Sequence, residues 1–161
     1  MIGITFGTNT SMFCDGMRKH CFTFYKQLCS MNLQPVFICT EDIAKWLDKD
    51  HKNIEYKTYS SLNNPHILQQ FDVIIEWEVF LPNPIPHLCQ KHSIKVIRMN
   101  CGNLFHSTHE RFLKNNNFIY PNATYVSEHW GSPQHIHGRN IIQTSYNKPV
   151  ITIPFTYNFT P

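Results

Sequence analysis

The sequence predicts an α/β fold: a doubly wound, mostly parallel Rossmann-like sheet with helices on both faces. Two observations carry this. Short apolar runs alternate along the chain with longer stretches of helical spacing, the pattern of βαβ units. The clearest of the runs, Phe71-Asp-Val-Ile-Ile-Glu-Trp77, has the continuous apolar centre of a strand buried on both sheet faces. The length of 161 residues, with 42% hydrophobic and 14% aromatic content, fits one folded domain with a substantial core. No internal repeat, low-complexity tract or linker interrupts it, so residues 1–161 read as a single domain.

Each element follows from local signals. Ile2-Gly-Ile-Thr-Phe is a first strand, and the polar Gly7-Thr-Asn-Thr-Ser is its loop. A helix from about Asp15 to Ser30 mixes helical and adjacent apolar spacing at Phe22, Phe24, Tyr25 and Leu28, which predicts a broad buried face. Pro35–Cys39 is a second strand. Glu41–Leu47 is a helix whose acidic start suits the helix dipole. Ile54–Tyr59 reads as a weaker strand. After Phe71–Trp77, a loop with Pro82, Pro84 and Pro86 leads to a helix around His87–His92, and Ile94–Met99 is the next strand. Asn100-Cys-Gly-Asn103 is a turn, His106–Lys114 a helix, and Asn115–Asn117 a break. Tyr125–Glu128, a helix across Gln134–Ile142, and Val150–Ile153 close the series.

Composition excludes several classes. A formal charge of +3 with scattered Lys and Arg gives no electrostatic footprint for nucleic acid. The six cysteines, at 14, 21, 29, 39, 89 and 101, form no C-x-x-C or framework spacing, which predicts reduced thiols and a cytoplasmic chain. The N-terminus lacks the basic start and apolar core of a signal peptide. No apolar run approaches the roughly 20 residues that span a bilayer. Asn122-Ala-Thr and Asn158-Phe-Thr then carry no meaning as glycosylation acceptors.

Ligands of open α/β sheets bind outside the carboxyl ends of strands, where strand order reverses. Four loops qualify: Gly7–Gly16, Glu76–Pro86, Asn100–His106 and His129–His137. The first is no G-x-G-x-x-G, and the chain has no G-x-x-x-x-G-K-[ST]. Both absences count against a nicotinamide dehydrogenase and a P-loop ATPase. Asp15-Gly16 before the long helix is either an anion site at a helix N-terminus or a cap and turn. Glu76, ending an apolar strand, is either a ligand or catalytic group or the first solvated residue. Gly102 is expected at positive φ, with neighbouring amides that bind hydroxyls or cap the next helix. Ten histidines raise a metal site, with His106, His109 and Glu110, or His129, His135 and His137, as the clusters. None has zinc spacing, and no metal is expected. Cys101 with His106 is a nucleophile pair by residue type alone.

Several of these segments, in order, resemble one family. They are Ile2-Gly-Ile-Thr-Phe-Gly-Thr-Asn9, Asp15-Gly16 opening a helix that ends Phe24-Tyr25-Lys-Gln-Leu28, Asp72-Val-Ile-Ile-Glu76, Cys101-Gly-Asn103, Ser132-Pro-Gln-His135 and Pro149-Val-Ile-Thr-Ile-Pro154. The set, covering nearly the whole chain, is similar to a bacterial, phage and viral group of glycosyltransferase-like proteins of GT-B type. That resemblance implies two Rossmann-like domains facing a cleft, this chain being the N-terminal, acceptor-side one. It implies a nucleotide-sugar donor, a glycan or other hydroxyl acceptor, and no metal cofactor. Carried onto these positions, it places Asn9, Gly16, Gly102, Asn103 and Gln134 as substrate-binding residues. It places Glu76 and His135 around the same cleft; by chemistry and loop position the candidate catalytic bases are Glu76, Asp15, His135 and His20. Arg98-Met-Asn-Cys stands where the family has a tighter Arg-Cys-Gly-Asn turn. The stop after the last strand predicts that the donor-binding half is a separate domain or chain, and that these residues alone turn over weakly or not at all. Two other classes remain: a non-catalytic carbohydrate- or protein-binding module using the same loops, and a flavodoxin-like or response-regulator-like domain. The last lacks its acidic cluster after the first strand, where this chain has Gly7-Thr-Asn.

Overall fold

A computed structural model describes residues 1–7, 16–77, 79–100, 124–129, 140, 143 and 149–154. The chain forms two compact units, Met1–Val96 and Ile97–Pro161.

The first unit is built on β1 (Ile2–Thr5), which pairs in parallel with β2 (Pro35–Cys39) on one edge and β4 (Val73–Glu76) on the other. β3 (Tyr56–Thr58) pairs in parallel with β2 through Phe37, Ile38 and Cys39, giving the order β3-β2-β1-β4. Between them run α1 (Gly16–Ser30), α2 (Glu41–Asp50), a 3-10 turn (Ser60–Asn63), α3 (Pro65–Leu68) and α4 (Ile85–Lys91). β5 (Lys95–Asn100) starts beside β4, where the Lys95 N–H donates to the Asp72 carbonyl. In the second unit β5, β6 (Thr124–His129) and β7 (Val150–Pro154) pair in parallel. Asn140 and Gln143 are helical. The remainder of the Gln134–Ile142 helix, the Asn100–Asn103 turn beyond Asn100, and the His106–Lys114 helix lie outside the described residues.

This is a Rossmann-like α/β fold with a parallel sheet. The chain steps from β1 to β2 to β3 in one direction, then returns past β1 to β4. Parallel crossovers are right-handed in nearly all sheets, so the reversal puts α1 and α2 on one face and α4 on the other. Side-chain packing agrees. Trp77, just past β4, meets Phe24 of α1, whereas the charge of the adjacent Glu76 acts on Cys89 of α4, consistent with successive strand residues facing opposite sides.

Burial on both faces explains the strand composition. All five residues of β2 are buried. α1 buries Cys21, Tyr25 and Leu28 at helical spacing, and Tyr25 stacks on Phe37 at 4.7 Å. Phe22 and Phe24 flank that stripe, half-buried. At Gly3 a Cβ would lie 2.6 Å from Ile38 Cδ1 and 3.1 Å from the Phe71 ring. Both neighbours are in the core, so only glycine lets them close over β1.

The ends of the helices are set by hydrogen bonds. Thr40 caps α2, its hydroxyl accepting the Ile43 N–H at 3.5 Å, and Asn64 caps α3 by accepting the His66 N–H at 3.0 Å. The helix α2 runs to Asp50, past the expected end at Leu47, with Asp48 and Lys49 exposed on its last turn. The 60–68 segment, unassigned from sequence, is fastened by the Ser60 hydroxyl donating to Glu41 and by the Asn64 cap. α1 and α4 end alike. Leu33 N–H bonds the Leu28 carbonyl and Asn32 N–H that of Cys29; Ile94 N–H bonds Cys89 and Ser93 N–H bonds Gln90. These are two Schellman endings, and each needs a left-handed residue: Asn32 at φ 58° and Ser93 at φ 57°.

Serine carries a steric cost in that region that glycine does not. Ser93→Gly is therefore expected to stabilise the protein by about 0.5–1 kcal/mol, seen as a higher urea midpoint at unchanged m-value.

Candidate functional site

The strand order reverses between β1 and β4, so the crevice at their carboxyl ends is where an open α/β sheet binds ligands. Thr5, Phe6 and Gly7 arrive there from β1, and Glu76 and Trp77 from β4. Gly16, the first residue of α1, and His20, one turn on, come from the helix that follows β1.

Thr5 is the one polar side chain of β1, and it is fully buried. Its Oγ1 accepts the Trp77 N–H at 2.9 Å and the Val79 N–H at 3.4 Å. Glu76 Oε1 accepts the Leu81 N–H at 2.8 Å. Two side chains thus take up alternate amides of the segment that leaves β4 and fix its path. Trp77 is 1% exposed, stacked by Phe24 at 4.9 Å and met edge-on by His20 at 5.2 Å. Its indole Nε1–H is buried and has no hydrogen-bond partner among the described residues.

Glu76 is 1% exposed. The alternative of a solvated strand-end acid is therefore corrected: the carboxylate turns under the loop toward α4, where its negative charge is felt by Cys89. Burial first, then Glu76, pushes the Cys89 thiol up to about 12. At Cys39 burial, then Glu41 and Asp48, does the same, also to about 12. Neither thiol forms a thiolate near neutrality, so neither is a nucleophile.

Of the other residues selected from sequence, Gly16 opens α1 as anticipated. Asn9, Asp15, Gly102, Asn103, Gln134 and His135 lie outside the described residues, as do Cys101, His106, His109, Glu110 and His137. His129 is the last residue of β6. No group of three or more His, Cys, Asp or Glu side chains among the described residues could hold a metal ion. No helix among them is long and apolar enough to cross a membrane. Thr5 and Trp77 were not singled out by the sequence reading. The available signal was a hydroxyl within an otherwise apolar strand and a tryptophan directly after a strand-end acid.

Thr5→Val keeps shape but leaves the buried Trp77 N–H without its acceptor. A loss of about 1–3 kcal/mol is expected, with faster amide exchange at Trp77 and Val79, whereas Thr5→Ser retains both. Among the four described free cysteines, Cys29 alone is exposed. Brief alkylation of the native protein at mildly alkaline pH, read by mass spectrometry, should label Cys29 and spare Cys21, Cys39 and Cys89 until denaturant is added.

The comparisons with known proteins are sparse. No curated protein matches the chain. A phenylacrylic acid decarboxylase from Aquifex aeolicus is a similar solved structure, with 9% identity, a TM-score of 0.40, and coverage of 99% of this chain and 85% of that one. A family profile matches residues 2–160, nearly the whole length, and the chain belongs to that family, described as Protein of unknown function (DUF2827).

Proposed function

We propose that the chain is the acceptor-side domain of a GT-B-like glycosyltransferase, acting with a donor-binding domain that supplies the nucleotide sugar. The observation that carries this reading is the reversal of strand order between β1 and β4, with Thr5 and Glu76 fixing the segment that borders the crevice. A pre-shaped crevice at a switch point is what a sugar acceptor needs for orientation. The ordered segments from Ile2–Asn9 to Pro149–Pro154 support the same reading by resemblance. In the reaction the anomeric C–O bond to the leaving nucleoside diphosphate breaks as the acceptor oxygen bonds the anomeric carbon. The acceptor proton passes to a base. Asp15, His20, Glu76 and His135 are the groups of suitable chemistry. By the same resemblance Asn9, Gly16, Gly102, Asn103 and Gln134 would be substrate-binding residues around the cleft. The four free thiols among the described residues fit a reducing, cytoplasmic setting.

One observation favours a second reading, a non-catalytic carbohydrate- or protein-binding module. The Glu76 carboxylate is buried and already accepts the Leu81 N–H, so it serves the fold at the cost of accessibility. Saturation-transfer NMR with a glycan panel and with nucleotide sugars tests both readings. Glycan signals are expected, and absence of transfer to every compound sinks the proposal. Transfer of labelled sugar to the bound glycan, measured with the donor-binding domain present, then separates enzyme from module. If Glu76 is the base, Glu76→Gln lowers turnover by about 10²–10⁴-fold with glycan binding unchanged. If it only holds Leu81, the amide oxygen replaces the carboxylate and turnover persists.

A further inference from the structure

The indole of Trp77 combines three properties that belong together only at a binding site. It sits at the carboxyl end of β4, beside the point where strand order reverses. It is 1% exposed, yet its Nε1–H has no hydrogen-bond partner among the described residues. It is also held in place: the backbone N–H is fixed to Thr5 Oγ1 at 2.9 Å, one ring neighbour is Phe24 and the other His20. Buried polar groups almost always find partners, and leaving one unmade costs about 1–3 kcal/mol. A tryptophan used only to fill space next to Phe24 would be served equally well by a phenylalanine or leucine, which bring no such cost. Thr5 cannot relieve it, because its oxygen is taken by two backbone amides.

We propose that Trp77 Nε1–H is the hydrogen-bond donor that the β1/β4 crevice offers to an oxygen acceptor on its ligand, a sugar hydroxyl or a phosphate oxygen. The proposal rests on the ligand-binding reading given above and names the group that reads the ligand. Ligand entry displaces whatever covers the indole, and the bond then forms shielded from water, where it discriminates strongly between acceptors and apolar groups. The clamp by Thr5 and Glu76 makes this geometry rigid before binding, so little ordering is left for the ligand to impose.

Protein carrying isotope-labelled tryptophan gives separate indole resonances for Trp46, Trp77 and Trp130, assigned by replacing each with phenylalanine. Inorganic phosphate, glucose, galactose, N-acetylglucosamine, UDP-glucose and GDP-mannose are titrated in turn. The expected result is a saturable downfield shift of the Trp77 indole proton with at least one of them, while Trp46 stays in place. Response to phosphate and nucleotide sugars alone marks a phosphate oxygen as the acceptor; response to the free sugars marks a hydroxyl. Trp77→Phe, which keeps an aromatic ring but removes the donor and part of the buried volume, should weaken that compound's binding about tenfold, with the melting temperature reporting the packing loss separately. If Trp77→Phe fails to fold, the wild-type titration still decides the matter. Saturable shifts at Thr5 or Gly7 with the Trp77 indole unmoved overturn the donor assignment and leave the binding reading standing. Silence at every one of these resonances overturns both.

Discussion

β1 is hydrogen-bonded along both edges, to β2 and to β4, and packed on both faces. Nothing in such a strand can be polar unless it is satisfied internally, and nothing can be larger than its neighbours allow. Gly3 answers the second demand, letting Ile38 and Phe71 close over the strand. Thr5 answers the first, and does so in a way that shapes the site. Its hydroxyl is spent on the chain leaving β4, so the central strand sets not only the order of the sheet but the course of a loop that begins 72 residues later in sequence.

The energetic consequence is an unequal division of labour among the buried polar groups. Thr5 and Glu76 both act as acceptors for backbone amides, which makes them costly to remove. Cys39 and Cys89 behave as small apolar residues, their thiols pushed far from ionisation by burial. Among the described residues of the crevice, the indole of Trp77 keeps a buried donor without a partner.

The parts of this arrangement that were legible from sequence are those set by local rules. β2 ends where expected because Thr40 caps the next helix, and the α/β class follows from alternation alone. Glu76 stands out because an acid at the end of Val-Ile-Ile is locally anomalous. The ends of α1 and α4 were harder, since their left-handed positions are Asn32 and Ser93 rather than glycine. The turn and helix over 60–68 were missed because their stops come from Glu41 and Asn64, one of them distant in sequence. Thr5 and Trp77 are illegible for the same reason: their roles exist only once β1 and β4 lie side by side.

The clamp on alternate amides also separates a frame from a face. Because Trp77, Val79 and Leu81 are held through their backbones, the path of the segment does not depend on the exposed side chains beyond them, Pro82 and Asn83. Those positions are free to vary without loosening the crevice. Substitutions at these exposed positions can therefore accumulate, one residue at a time, over an unaltered scaffold.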